Sequence, residues 1–188
     1  AQYGGCCRCI ILFHSYMSLV DFFTPIQVQD FMLGEAFYNS QFGKIIQAYE
    51  HTFPDLEDPA LKPHLVIVGV EEERGSIGNA GTKKAPNAVR KHLYNLYQGD
   101  YAVRIADLGN IQAGATIKDT YYALKTVVEE LVKHDILPII IGGGQDLTYG
   151  QYIGYEALEQ RVEVAVIDSK FDLDQAHVDN TPLNSTTY

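Results

Sequence analysis

An apolar run near the end of the chain breaks into three charged residues at alternate positions. Asp168, Lys170 and Asp172 lie in the segment VAVIDSKFDLD. In an extended strand, residues at this spacing project from one face. Two carboxylates on one face can hold a divalent cation, but a lysine stands where a third ligand would be expected. The spacing therefore indicates a metal site, an altered metal site, or a strand end whose cation is the Lys170 ammonium.

A second unusual stretch, GGGQD, covers residues 142–146 and follows the apolar run ILPIII. The side-chain amide of Gln145 offers a neutral oxygen that manganese or magnesium accepts as a ligand. Asp146 precedes LTYG, where it serves equally well as a helix N-cap or as a reacting group. The three glycines by themselves indicate no more than a tight turn between a strand and a helix.

The elements that must position these residues follow an α/β rhythm. Four segments have the apolar pattern of strands, at 65–70, 101–111, 136–144 and 162–169. Three segments have helical patterns, at 85–98, 116–135 and 147–161. The second begins with Thr116 and Asp119 at the spacing of a capping box and has one apolar stripe (Ile117, Tyr121, Leu124, Val128, Leu131). Strands that alternate with helices predict a parallel sheet covered on both faces, in which ligands bind beyond the carboxyl ends of the strands. Both unusual stretches are predicted to lie at that edge.

The chain divides into three parts by composition. Residues 1–23 contain all three cysteines, in CCRC, and form a poorly specified leader; residues 24–61 are predicted to be a helical segment and linker. Residues 62–188 are predicted to form the α/β domain. The missing initiator methionine and the abrupt end at Tyr188 indicate a fragment, and we expect this domain to be incomplete at its C-terminus. The division rests on pattern and composition alone.

Charge and cysteine usage restrict the partners. The chain of 188 residues has a net charge of −10, so the phosphate backbone of a nucleic acid would repel it. With every cysteine in one cluster, none is available to cross-link the core, which favours a cytoplasmic protein. The apolar leader is interrupted by charges and is too short for a membrane span. These features argue against nucleic-acid and membrane partners, and they are compatible with a small cationic or zwitterionic substrate.

Three ordered motifs resemble the ureohydrolase family of arginases, agmatinases and formimidoylglutamases. PIIIGGGQDLTYG is similar to the family's Gly-Gly-Asp-His-Ser motif, and VIDSKFDLD is similar to its Asp-Ala-His-x-Asp motif. EEERGSIGNAGTKKAPNAVR resembles the family's glycine-rich loop and the helix start after it. The resemblance implies an arginase-like three-layer α/β fold with a parallel sheet flanked by helices. It also implies hydrolysis of guanidino or formimino groups by a hydroxide on two manganese ions.

The metal motifs differ from the family at two positions. The family's histidines fall on Gln145 and Lys170, whereas both aspartates of the second motif are present as Asp168 and Asp172. At about 4 Å and an effective dielectric constant of about 20, each contact between the lysine and an aspartate is worth roughly 4 kcal/mol before desolvation. We therefore expect Lys170 to replace one cation of the pair, acting in the site with Asp168 and Asp172. At most one manganese ion, or none, would remain on Gln145, Asp168 and Asp172.

The resemblance leaves two functions open. The first is an amidine hydrolase of the formimidoylglutamase or agmatinase type that acts on a small guanidino or formimino compound. The second is an inactive family member that binds a ligand or partner; an unrelated α/β binding domain would leave the three ordered motifs unexplained. Asn180, Asn184 and Ser185 lie where the family's substrate loop begins and are candidate substrate contacts. A homo-oligomer is expected from the family's trimers and hexamers.

Overall fold

The fold is built on a five-stranded, mostly parallel sheet. The computed structural model describes residues 18–159 and 161–168. Its strands are β1 (Phe23–Thr24), β2 (Gln47–Ala48), β3 (Leu65–Glu71), β4 (Ile105–Gln112) and β5 (Leu137–Ile141). Strand β4 pairs in parallel with β2 and β3, β3 pairs in parallel with β5, and β1 pairs antiparallel to β4. Three of the predicted strands therefore form, and they run parallel as expected.

The described residues contain four helices, of which the last three lie in the segments predicted to be helical. They are α1 (Phe42–Ile45), α2 (Ala85–Leu93), α3 (Ile117–Lys133) and α4 (Leu147–Glu156), with 3-10 turns at Leu19–Phe22, Val28–Phe31 and Thr82–Lys84. Helix α2 ends earlier than predicted. Part of the reason is that the Asn95 side-chain amide donates to the backbone oxygen of Lys91 at 2.8 Å and satisfies a terminal carbonyl. None of the helices in the described ranges is both long and apolar enough to cross a bilayer.

Helix α3 begins where its sequence predicts because Thr116 and Asp119 form a capping box. The Thr116 N–H donates to Asp119 Oδ2 at 2.7 Å, and the Asp119 N–H donates to Thr116 Oγ1 at 3.3 Å. Ile117 of the predicted apolar stripe is half-buried. The other four residues of the stripe are buried and share one cluster with three valines of β3 (Tyr121, Leu124, Val128, Leu131, Val66, Val68, Val70). This face of the sheet forms the larger part of the core.

Helices cover both faces of the sheet. Helix α4 packs on α3 so closely that a Cβ added at Gly154 would lie 2.8 Å from Val128 Cβ. On the opposite face, α2 inserts Arg90 against Asp107 of β4, and both side chains are fully buried. The result is the predicted three-layer arrangement of helix, sheet and helix.

The segment predicted to be helical before the domain contains only short helical turns. The turn Val28–Phe31 ends where the Phe31 ring packs edge-on against Tyr94, with ring centroids 5.3 Å apart. The predicted boundary after residue 23 falls inside β1, whose Phe23 is buried in the main core. The segment is therefore shaped by packing on α2 and β4 more than by its own periodicity, and the three-part division of the chain stays a prediction.

The predicted fourth strand is wrong for the residues described. Residues 161–168 have no regular secondary structure, and Val164, Val166 and Ile167 expose 60%, 68% and 102% of their surface. A strand needs a hydrogen-bonded neighbour, and within the described ranges this segment is paired with no strand. An alternating apolar pattern shows that a segment is suited to be a β-strand. Whether the strand forms depends on a neighbouring strand to which it can hydrogen-bond.

Candidate functional site

A cleft of about 750 Å³ opens at the carboxyl end of β5. Its walls are the glycine run 142–144, one face of α4, Asn79 from the loop after β3, and residues 162–168. Gln145 is half-buried there and Asp168 is exposed, and both line the same cleft. The structure thus brings together two residues that the sequence placed in one site from two separate motifs.

The other predicted site residues lie outside the described part of the chain. These are Lys170, Asp172, Asn180, Asn184 and Ser185. Their roles as a cationic substitute, a metal ligand and substrate contacts therefore stay predictions. The candidate site described here comprises Gln145, Asp168 and the walls around them.

Sequence reasoning missed the contribution of helix α4. Thr148, Gln151, Tyr152 and Tyr155 all line the cleft. Their spacing of three, four and seven residues places them on one helical face. This spacing is visible in the sequence. It indicates a ligand-facing surface only in combination with the structure, in which α4 runs along the cleft after the glycine run.

The glycine run makes a sharp turn that only glycines accommodate easily. Gly142 and Gly143 have φ angles of 81° and 78°, in the left-handed region that side chains disfavour. The Gly143 N–H donates to Thr82 O at 3.2 Å, and the Gly144 N–H donates to Glu72 O at 3.1 Å. The run is therefore a tight turn, as one interpretation predicted, and it is also fastened to the loop that follows β3.

Asp146 occupies the N-cap position of α4 but makes no capping hydrogen bond with its side chain. The carboxyl group is fully buried, and its Oδ2 accepts a hydrogen bond from the Tyr121 hydroxyl at 2.7 Å. Oδ1 has no hydrogen-bond partner among the described residues. Burial raises the pKa of the Asp146 carboxyl, the nearby Glu72 charge adds to the rise, and the Tyr121 hydrogen bond opposes it. Asp146 is thus a buried acid behind the cleft.

Glu72 forms a second buried polar group beside Asp146. Its carboxylate accepts hydrogen bonds from Arg74 Nε at 2.9 Å and from the Thr120 hydroxyl at 2.8 Å. Arg74 also donates to the backbone oxygen of Gly114 at 2.9 Å. Burial alone would raise the pKa of Glu72, but the hydrogen bonds from Arg74 and Thr120 together hold that pKa below its usual value. This cluster ties the loop after β3 to the start of α3.

The described donors do not complete a manganese site. Manganese prefers several oxygen and imidazole ligands in near-octahedral geometry. Within residues 18–159 and 161–168, no three histidine, cysteine, aspartate or glutamate side chains are grouped so that they could hold a metal ion. Gln145 and Asp168 supply two oxygen-bearing side chains to the cleft, which is too few. The described residues therefore do not fit the two-metal centre that the resemblance implies.

Comparison with known proteins identifies the family to which these features correspond. The model of the Arginase family matches residues 63–188. A formimidoylglutamase from Streptococcus pyogenes serotype M3 is 27% identical over 161 residues, which cover 80% of this chain and 47% of the relative. The chain spans about half the length of the curated relatives it matches.

Solved structures show the same fold. A Trypanosoma cruzi formiminoglutamase with Mn²⁺ aligns with a TM-score of 0.64 at 23% identity, covering 78% of this chain and 50% of that chain. An agmatine ureohydrolase of Thermoplasma volcanium aligns with a TM-score of 0.59 at 21% identity, covering 80% and 49%. These likenesses confirm the predicted arginase-like α/β fold.

Proposed function

The chain belongs to the arginase family, and from that premise we propose that the whole protein hydrolyses a C–N bond of a small linear amidine. The substrate would be a guanidino or formimino compound, and the activity would be most like that of a formimidoylglutamase or an agmatinase. The observation that carries the proposal is the shared cleft of Gln145 and Asp168 at the carboxyl end of β5. Relatives named formimidoylglutamase support the formimino branch.

The chemistry of the cleft suits an amidine. A protonated amidine is a planar cation with several N–H donors, and the Asp168 carboxylate accepts such hydrogen bonds. Gln145 and Asn79 add amide groups to the same cleft, and Tyr152 and Tyr155 add aromatic surface that favours cations. Asn180, Asn184 and Ser185 are proposed to contact the far end of the substrate.

The metal centre is proposed to be reduced relative to the family. At most one manganese ion would bind, with Gln145, Asp168 and Asp172 as its ligands and Lys170 in place of a second cation. Without Asp172, Gln145 and Asp168 are too few ligands to hold the ion.

A second function is supported by the residues at the two altered motif positions. A family member that had lost its metals would keep the fold and the cleft but would bind a ligand or partner without turnover. Glutamine and lysine at the two histidine positions support this alternative.

One experiment separates the two functions. The whole protein is loaded with manganese, bound metal is measured, and release of ammonia, urea or formamide is assayed with guanidino and formimino substrates. Stoichiometric metal with turnover supports the hydrolase. If neither metal nor turnover is found, the hydrolase proposal fails and the binding function stands.

A pair of histidine substitutions tests whether the two altered motif positions cause any loss of metal binding. The double variant Gln145→His, Lys170→His should gain metal binding if only these two ligands are missing. Gln151→His is the matched control, because it adds a histidine to the same cleft away from the motif positions. Equal metal binding by the control and the double variant would contradict the assigned ligand positions.

The compartment, the oligomeric state and the partners of the protein are also part of the proposal. We propose a cytoplasmic homo-oligomer whose partner is a small molecule, with no nucleic-acid or membrane partner. Light scattering of the whole protein tests the oligomer, and a mass equal to one chain would contradict it.

A further inference from the structure

The Asp146 carboxyl group lies directly against two glycines from different parts of the chain. The three atoms nearest to a Cβ added at Gly75 all belong to Asp146, and that Cβ would overlap the carboxyl group. A Cβ added at Gly144 would overlap Asp146 Oδ1 and lie 2.5 Å from Ser76 Oγ. The carboxyl group is therefore packed between the loop after β3 and the glycine run.

The same carboxyl group also reaches helix α3. Its Oδ2 accepts the hydrogen bond from Tyr121, which lies in the core stripe of that helix. Three segments thus meet at one side chain: the loop at Gly75, the glycine run at Gly144 and helix α3 at Tyr121. Because the group is fully buried, its contacts hold these segments together and do not touch a ligand in the cleft.

The consequence for the cleft follows from chain connectivity. Gln145 lies between Gly144 and Asp146 in the chain. Its backbone is therefore held on one side by Gly144, which packs against the Asp146 carboxyl group, and on the other by Asp146 itself. The backbone hydrogen bonds of Gly143 and Gly144 to the neighbouring loop hold the preceding turn. Little freedom remains in the backbone that directs the Gln145 side chain into the cleft.

We propose that Asp146 is a positioning residue that holds the glycine run against the loop after β3 and so directs Gln145 into the cleft. A capping role for its side chain is not supported, since the side chain makes no cap hydrogen bond. The link to a ligand rests on the proposed function, whereas the link to the loop geometry does not.

Hydrogen exchange of the whole protein tests the loop geometry directly. Asp146→Ala should speed exchange of the Gly143 and Gly144 amides by about tenfold or more, because both hydrogen bonds open more often. Asp146→Asn keeps the shape and can still accept from Tyr121, so it should change exchange by less than about threefold. Amides in the central strands β3 and β4 should be unaffected by either variant.

Matched tyrosine variants separate this role from general stability. Tyr121→Phe removes the hydrogen bond to Asp146 and should speed exchange of the same two amides. Tyr122→Phe, on the neighbouring and 63% exposed ring, should not. Unchanged Gly143 and Gly144 exchange in Asp146→Ala, or an equal rise across all amides, would overturn the proposal.

A compensating substitution tests the contact with Gly75. Gly75→Ala should lower the Tm of the unmodified protein but should have little effect when combined with Asp146→Ala, because the overlapping group is then gone. Gly34→Ala is the control, since a Cβ there meets nothing within 4 Å. Equal effects of Gly75→Ala in both backgrounds would show that the two residues are not coupled.

Kinetics then test the link to the ligand. If the whole protein turns over an amidine, Asp146→Ala should raise KM several-fold, with Asp146→Asn close to normal; an unchanged KM would overturn the link to Gln145. If the protein shows no turnover, the proposed hydrolase fails, and the exchange measurement alone decides the positioning role. The two failures are therefore separate results.

Discussion

Arg90 of α2 and Asp107 of β4 form a two-point ion pair that is completely shielded from solvent. Arg90 Nη2 lies 2.8 Å from Asp107 Oδ1, and Arg90 Nε donates to Asp107 Oδ2 at the same distance. The remaining Arg90 hydrogen bonds include those to the Gly109 backbone oxygen and to Asn110. The pair thus fixes α2 on the sheet face opposite α3.

Removal of one partner should be strongly destabilising. Arg90→Ala leaves a buried carboxylate without its counter-charge, and we expect a loss of about 3–5 kcal/mol in the free energy of unfolding. Urea denaturation measures it, with Lys91→Ala on the exposed side of α2 as the control. A loss below about 1 kcal/mol would contradict a structural role for the pair.

Tyr94 should make stability fall at high pH. Its hydroxyl donates to Asp107 Oδ2 at 2.8 Å, and burial, followed by the charge of Asp107, raises the pKa of Tyr94 far above its usual value. The unfolded chain releases this proton near pH 10 while the folded chain keeps it, so stability decreases as pH rises above about 10.

The comparison of two phenylalanine variants isolates this effect. Tyr94→Phe should flatten the alkaline decline in the free energy of unfolding, whereas Tyr97→Phe, at a 58% exposed ring, should leave it in place. Identical alkaline slopes in the two variants would rule out Tyr94 as the source.

Glu72 should contribute to the decrease in the free energy of unfolding at low pH. Because its pKa is lowered in the folded protein, its contribution is present above the unfolded value and is lost as pH falls through the folded value. Glu72→Gln should therefore reduce stability near neutral pH and weaken the dependence on pH below about 4.3, the usual glutamate value. Chemical denaturation across this range measures it, and Glu57→Gln on the surface is the control.

The capping box should account for part of the stability of α3. Thr116→Ala removes the acceptor for the Asp119 N–H and should cost about 1 kcal/mol. Thr116→Ser keeps a hydroxyl at the same position and should restore most of that loss. Equal losses in the two variants would show that the hydroxyl does not act as a cap.

Asp168 should govern the affinity for a cationic ligand. Asp168→Asn removes the charge of a residue that lines the cleft and should weaken agmatine or arginine binding by about tenfold, corresponding to a lost charge-assisted hydrogen bond of roughly 1.4 kcal/mol. Calorimetry on the whole protein measures it. Glu156→Gln, an equal charge change at an exposed residue of α4 that does not line the cleft, is the control, and equal losses would indicate a nonspecific charge effect.

Local patterns predicted much of the fold. Strand β3 was recognised from LVIVGV, and α3 from its stripe and its capping box, because these signals arise within a few consecutive residues. The motifs GGGQD and VIDSKFDLD also identified the family and placed Gln145 and Asp168 at one edge of the sheet. The family and the fold were confirmed by comparison, whereas the roles of the individual site residues stay predictions.

The sequence by itself determined the order of β3, α2, β4, α3, β5 and α4, and it predicted the edge at which chemistry would occur, because both depend on short-range periodicity and on the direction of parallel strands. Only the tertiary structure decided that Asp146 turns inward to Tyr121, that Arg90 reaches Asp107, and that the described residues 162–168 form no strand. Each of these outcomes joins residues distant in the chain, or depends on a neighbouring strand. A local sequence pattern does not show which distant residue a buried side chain will contact or hydrogen-bond to.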